Sequence, residues 1–109
     1  MYREKYKKEI DILYNIAEDK GFTLEKLISS DRDKKLVKTR RIIMIILKKY
    51  ILNKTKEKTN PTEIAKIVNR DRTTFLYHEK VHANEYEYED YKEEYDTFLE
   101  KFEEKIKNI

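Results

Sequence analysis

The chain has 109 residues, of which 43% are charged and 39% hydrophobic, and its formal net charge is +3 at pH 7. It contains one Gly, one Pro and no Cys. These counts exclude a glycine-rich phosphate loop, a disulfide framework, a thiolate nucleophile and a cysteine zinc site. No apolar run is long enough to span a bilayer, and the first residues lack the apolar stretch of a signal peptide, so we expect an intracellular protein with no membrane partner.

The scarcity of Gly and Pro also favours helices, because hairpins and barrels need turn residues at roughly every 8–12 positions. We therefore predict an all-α fold of about six helices, forming a single domain over residues 1–109. Residues 3–19 have the apolar spacing of a first helix. Gly21 follows at the position where a residue in the left-handed conformation would end that helix. Thr23 can cap a short helix over residues 24–29.

The next predicted helix, over residues 34–52, is long and buried on more than one side. Apolar residues run almost without interruption from Ile42 to Leu47, so we expect this helix to form the centre of the core. An exposed, lysine-rich loop is predicted to follow it at Asn53–Thr59.

Two short helices joined by a tight turn are predicted after this loop. Asn60 can cap the first, with Pro61 at the first helical position and Glu63 at the third, which is a capping-box pattern. The turn is Asn69-Arg-Asp, whose Asp can cap the second helix, and that helix should end near Asn84. Two helices in this arrangement are a helix-turn-helix candidate.

The last predicted helix covers residues 86–109 and is acidic and amphipathic. Its apolar stripe has spacings of three and four: Tyr88, Tyr91, Tyr95, Phe98, Phe102, Ile106 and Ile109. We expect the stripe to pack on the core. The alternatives are a homodimer or a protein partner held through the Tyr88–Ile109 helix, or tyrosines that stack on bases.

The small net charge hides a strong asymmetry along the chain. Residues 86–109 hold nine acidic and four basic residues, whereas residues 32–58 hold eleven basic and two acidic residues. A basic concentration of this kind predicts a surface for a polyanion. The acidic last helix would repel phosphates, which argues against tyrosines that stack on bases.

The second helix of the pair begins Asp71-Arg-Thr-Thr, and the first residues of a recognition helix are those that reach base edges in the major groove. Arg72 can pair with guanine, Thr73 and Thr74 can contact a base or a thymine methyl group, and the Asp can accept from a cytosine amine. The start of the preceding helix, at Asn60–Thr62, would offer free backbone N–H groups to a phosphate.

The stretch Asn60-Pro-Thr-Glu-Ile-Ala-Lys-Ile-Val-Asn-Arg-Asp-Arg-Thr-Thr-Phe resembles the C-terminal, origin-binding domain of the bacterial replication initiator DnaA, which has a Trp-repressor-like helix-turn-helix. That family's signature runs Ser-Leu-Pro-Glu-Ile-Gly, a few residues, then Gly-Gly-Arg-Asp-His-Thr-Thr-Val. Upstream, the stretch from Phe22 and the basic stretch from Lys34 are similar to its short second helix, basic loop and long third helix. The resemblance covers residues 8–82.

The resemblance implies DNA contacts at named positions. Arg70, Asp71, Arg72, Thr73 and Thr74 match the recognition motif. Lys34 matches a basic residue that enters the minor groove, and Arg40 matches an arginine that contacts DNA from the long helix. Arg41 matches a phosphate contact and Lys38 a neighbouring basic position, while the phosphate-binding helix start is matched by Asn60, Pro61 and Thr62.

Several positions depart from the family pattern. Arg72 replaces the His of the motif, and Asn69 replaces the Gly-Gly with one residue fewer. Thr39 replaces a Pro, and the Asn53–Thr59 loop is longer and richer in lysine. We therefore expect the fold and the mode of DNA contact to carry over better than the preferred DNA sequence.

We predict a double-stranded DNA-binding protein without ATPase activity, since 109 residues leave no room for an ATPase domain. Its heavy use of lysine and isoleucine suits an AT-rich genome, which favours replication or transcription control of a phage or mobile element, in the nucleoid or the host cytoplasm. The alternative is a phage structural or adaptor protein that keeps the fold for protein–protein interaction.

No enzyme activity and no cofactor are predicted. His78 and His82 have the i, i+4 spacing of metal ligands, but no third ligand accompanies them. The carboxylates of the last helix are spread along a solvated face, so we do not expect acid–base catalysis.

Overall fold

Seven α-helices and no strands make up the chain in the computed structural model, which describes residues 1–109. In chain order the helices are α1 (Tyr2–Lys5), α2 (Lys7–Asp19), α3 (Leu24–Leu27), α4 (Lys34–Thr55), α5 (Pro61–Lys66), α6 (Arg72–Glu85) and α7 (Glu89–Lys107). The predicted all-α fold is confirmed. The first predicted helix is divided in two, because Tyr6 leaves the helical region with φ −117° and ψ 36°.

Gly21 ends α2 as the sequence predicts. Its φ is 96°, a left-handed conformation that glycine adopts without a Cβ clash. The Gly21 N–H donates to the Glu18 carbonyl at 2.9 Å and the Phe22 N–H donates to the Ala17 carbonyl at 3.0 Å. These two bonds form a Schellman motif, which satisfies carbonyls at the end of α2 and turns the chain towards α3.

The α4 helix forms the centre of the core, in agreement with its uninterrupted apolar run. Each residue from Ile42 to Leu47 is at most 3% exposed. The helix packs against α2, α3, α5, α6 and α7. It runs slightly further than predicted, to Thr55, and ends where Lys56 adopts a left-handed φ of 61°.

Arg40 on α4 is buried, with 2% of its surface exposed. Its Nε donates to the Leu27 carbonyl at 2.7 Å and its Nη1 to the Asp31 carbonyl at 2.7 Å. Its Nη2 donates to the carbonyls of Lys26 and Ser29 at 2.9 and 3.1 Å. The guanidinium faces the inside of the protein and is occupied by carbonyls at and just beyond the end of α3, so the predicted DNA contact would have to compete with these bonds.

Arg41 also points inwards, and 7% of it is exposed. Its Nε donates to His78 Nδ1 at 3.0 Å, its Nη1 lies 3.4 Å from Glu85 Oε2, and its guanidinium lies 5.9 Å from the centre of the Tyr91 ring. The phosphate contact predicted for this residue would likewise compete with these partners. Arg41 joins α4 to α6 and α7.

The α7 helix packs on the core through its apolar stripe. Four of the seven stripe residues are at most 3% exposed: Tyr91, Tyr95, Phe98 and Phe102. His82 Nδ1 lies 2.8 Å from the Tyr91 hydroxyl and so links α6 to α7. Tyr88 and Ile109 at the ends of the stripe are exposed, and a homodimer through this helix stays a prediction.

Replacing Arg40 with Ala should lower the free energy of unfolding by about 3 kcal/mol or more, because the carbonyls of Leu27 and Asp31 lose their donor. Arg40→Lys should recover only part of this loss, since an ammonium group lacks the planar fork of a guanidinium. Urea denaturation measures both effects. Lys34→Ala, an exposed position on the same helix, is the control and should change stability by less than about 0.5 kcal/mol. An Arg40→Ala midpoint equal to that of wild type would contradict this assignment.

The stability of the fold should fall as the pH falls from about 6.5 towards 4. Burial, helped by Arg41 near His78 and Lys49 near His82, lowers the pKa of both histidines to about 4. In the unfolded chain their pKa is about 6.5. Between these values the unfolded state binds more protons, so each histidine removes roughly 1–3 kcal/mol from the free energy of unfolding as the pH decreases.

Urea midpoints measured at pH 7, 6, 5 and 4 test this pH dependence. The variant His78→Gln/His82→Gln lacks both titrations and should show a weaker dependence than wild type over this interval. Equal slopes for the two proteins would show that other groups are responsible.

Candidate nucleic-acid interface

The α5 and α6 helices form a helix-turn-helix, joined by residues 67–71. Within the turn, Asn69 has a positive φ of 56°, and the Arg70 N–H donates to the Ala65 carbonyl at 2.9 Å. Asn tolerates the left-handed conformation better than most residues other than Gly. The replacement of Gly by Asn at this position therefore preserves the turn.

Side chains of the turn hold it against the end of α3. Asn69 Nδ2 donates to the Ile28 carbonyl at 3.0 Å, and Arg70 Nη2 donates to the Ser29 carbonyl at 2.7 Å. The same Ser29 carbonyl accepts the bond from Arg40. The helix-turn-helix and the loop between α3 and α4 are therefore fixed side by side.

The start of α6 presents the residues of the predicted recognition motif. Asp71 caps the helix, as predicted, with its Oδ1 accepting from the Thr74 N–H at 2.8 Å, and this bond lowers the pKa of the carboxyl. Arg72 and Thr73 are exposed and Thr74 is half-buried. Neither Arg72 nor Arg70 is in an ion pair with a carboxylate.

Three further residues share the exposed side of α6 and were not singled out from the sequence. The buried side of the helix carries Phe75, His78 and His82, at spacings of three and four. The opposite side continues from Arg72 and Thr73 through the exposed residues Leu76, Tyr77 and Lys80. The helical period alone could have found them, because each lies three or four positions after another exposed residue on the same side of the helix.

The loop between α3 and α4 lies beside the turn and contributes Arg32, and Lys34 follows as the first residue of α4; both are exposed. A polar hollow of about 260 Å³ separates the loop from the turn, and it is lined by Ile28, Ser29, Ser30, Arg32, Asn69 and Arg70. Sequence reasoning singled out Lys34 but not Arg32. The position of Arg32 at the start of the most basic segment was the signal that could have found it.

Lys38 lies one turn further along α4 and is half-buried. Its Nζ is 3.6 Å from Glu94 Oε2 on α7. The acidic last helix therefore already neutralises this lysine, and a phosphate at Lys38 would compete with Glu94.

The start of α5 differs from the prediction, because its backbone donors are not free. Asn60 Oδ1 accepts from the N–H groups of Thr62 and Glu63 at 3.0 and 3.3 Å, and Pro61 has no N–H. The Asn60 N–H donates to the Tyr2 hydroxyl at 2.9 Å, where a capping box would use the Glu63 side chain. Thr62 is exposed and keeps its hydroxyl available.

His78 and His82 are occupied within the core by Arg41 and Tyr91. The structure contains no group of three or more His, Cys, Asp or Glu side chains placed to hold a metal ion. No helix is long and apolar enough to cross a membrane.

Comparison with known proteins agrees with this geometry. A family model described as the bacterial DnaA protein helix-turn-helix matches residues 10–81, which run from within α2 to within α6. No curated protein and no solved structure gives a significant match. Because the model covers well over half of the chain, including the whole helix-turn-helix, the chain belongs to the bacterial DnaA helix-turn-helix family of DNA-binding domains.

Proposed function

We propose that this chain binds double-stranded DNA with α6 in the major groove and with the α3–α4 loop beside it. The observation that carries the proposal is the exposed start of α6. The turn before it is bonded through Asn69 and Arg70 to the carbonyls of Ile28 and Ser29, in the basic loop that leads to α4. A helix in the major groove and a basic arm next to it form a common pair of DNA contacts.

In this proposal, residues in the first turns of α6 read the DNA sequence. Arg72 is exposed and can make two hydrogen bonds to the O6 and N7 atoms of a guanine. Asp71 has one carboxylate oxygen outside its capping bond, which can accept from a cytosine amine. Thr73 and Leu76 lie on the same side of the helix and can contact thymine methyl groups, while the half-buried Thr74 lies at the edge of this surface.

In this proposal, the basic side chains around α6 bind the DNA phosphates. Lys34 and Arg32 are exposed at the start of α4, and Lys80 lies further along α6. Lys38 can join them by exchanging its partner on α7 for a phosphate. Since Arg40 and Arg41 are occupied inside the protein, they support this surface without touching DNA.

The biological setting of the proposal is replication or transcription control in a phage or mobile element. The residue composition supports it, and the proposal includes no ATPase activity, no other enzyme activity and no cofactor. The basic residues around the helix-turn-helix favour this function over the alternative of an adaptor or phage structural protein.

Duplex binding should weaken steeply with salt. Each neutralised phosphate contributes about −0.9 to the slope of log K against log salt concentration. Fluorescence anisotropy with a labelled random-sequence duplex, between about 50 and 200 mM salt, measures this slope. An affinity that does not change with salt concentration, or no binding at the lowest salt concentration, would contradict the proposal.

Arg72→Ala should relax sequence preference at one base pair, with a loss of about 1–3 kcal/mol on the preferred duplex. Lys34→Ala should weaken all sequences alike and reduce the salt slope by about 1. Selection from random duplexes, followed by affinity measurement on selected and unselected sequences, separates the two effects. Lys101→Ala, an exposed position on α7, is the charge-matched control and should leave both quantities unchanged.

A further inference from the structure

Two unpaired lysines precede the helix-turn-helix. Lys56 ends α4, and Lys58 lies two residues before Asn60. Both lysines are exposed, and neither is in an ion pair with a carboxylate. The neighbouring Lys54 differs from them, since its Nζ lies 3.8 Å from Glu9 Oε2. The charges of Lys56 and Lys58 are therefore available to a partner.

The α1 helix closes the start of α5 beside these lysines. The Tyr2 hydroxyl accepts from the Asn60 N–H at 2.9 Å, and the Tyr2 N–H donates to Glu63 Oε1 at 3.4 Å. Asn60 itself occupies the next two N–H groups of the helix. A phosphate that lies against this end of α5 finds no free backbone donor, so side chains must hold it.

The position of α5 relative to DNA follows from the motif. In helix-turn-helix complexes the first helix crosses the sugar–phosphate backbone while the second lies in the groove. Two residues of extended chain span at most about 7 Å, so the backbone of Lys58 remains close to the start of α5. The flexible stem of a lysine extends this reach further.

We propose that Lys56 and Lys58 make the phosphate contact that the closed start of α5 cannot make, an inference that rests on the proposed function. The partner is the sugar–phosphate backbone of the same duplex, next to the base pairs that α6 reads. A lysine ammonium suits this contact, because it is a compact charge that needs no fixed bonding geometry. The contact adds affinity without adding sequence preference.

The variant Lys56→Asn/Lys58→Gln tests the proposal, and Asn is chosen at position 56 because it tolerates the positive φ of that residue. The affinity for a labelled random-sequence duplex and for a duplex recovered by selection should fall by the same factor. The slope of log K against log salt concentration should become shallower by about 0.9 for each phosphate that the variant no longer neutralises. The urea midpoint should match that of wild type.

The matched control is Lys101→Gln/Lys105→Gln, which removes the same charge from exposed positions on α7. If the two double variants have equal salt slopes, the lysine contact is overturned while the proposed function stands. If wild type binds neither duplex at about 50 mM salt, the proposed function fails and this contact fails with it. A loss of affinity for the selected duplex alone would also overturn the proposal, because a phosphate contact affects all sequences.

Discussion

The position of the helix-turn-helix relative to α3 and α4 depends on one buried guanidinium. The short α3 helix has a single turn, and the carbonyl of its last residue, Leu27, receives its hydrogen bond from Arg40 on α4. Arg40 also donates to the Lys26 carbonyl, which Ser29 bonds as well. Burial and the nearby charge of Arg70 lower the pKa of Arg40, so the fold accepts an electrostatic cost at this point. The carbonyl dipoles at a helix C-terminus favour a cation and offset that cost. Because Arg70 donates to the same Ser29 carbonyl, the helix-turn-helix is positioned by the same group of bonds.

The charges of the chain are separated in space by the packing of its last helix. Buried aromatic residues fix α7 against α2 and α4, so its carboxylates are left outside. Several of them surround an acidic hollow lined by residues such as Glu89, Glu93 and Glu100. Under the proposed function, this side would repel a duplex, and the side that carries Arg32, Lys34 and Arg72 would attract it. The charge separation would then orient the protein on a duplex before α6 contacts the bases.

Local signals in the sequence predicted most of the fold. Gly21, Asn60 and Asp71 mark helix ends through bonds within a few residues of themselves, and the stripe of α7 has a regular period. Contacts between distant parts of the chain were not predictable. The bond from Asn60 to Tyr2 joins residues 58 positions apart and leaves no local pattern.

The main difference between the expected and the observed site is that the side chains of Arg40 and Arg41 point into the protein. The resemblance placed both on the DNA-binding surface, whereas the helical period places Arg40 on the same side of α4 as the buried residues Leu36, Ile43 and Leu47. The period thus indicated burial, but the partners of Arg40 are backbone carbonyls, which no side-chain pattern reveals.

The carbonyl of Ser29, shared by two arginines, has a mechanical consequence for DNA. This carbonyl ties the α3–α4 loop to the turn before α6, so in the proposed complex the two elements that contact DNA have a fixed separation. A duplex whose neighbouring grooves do not match that separation must twist or bend to fit, and the energy of that distortion depends on the stiffness of its base-pair steps. In the proposed complex this favours duplexes whose base-pair steps deform easily, including steps that the protein does not touch.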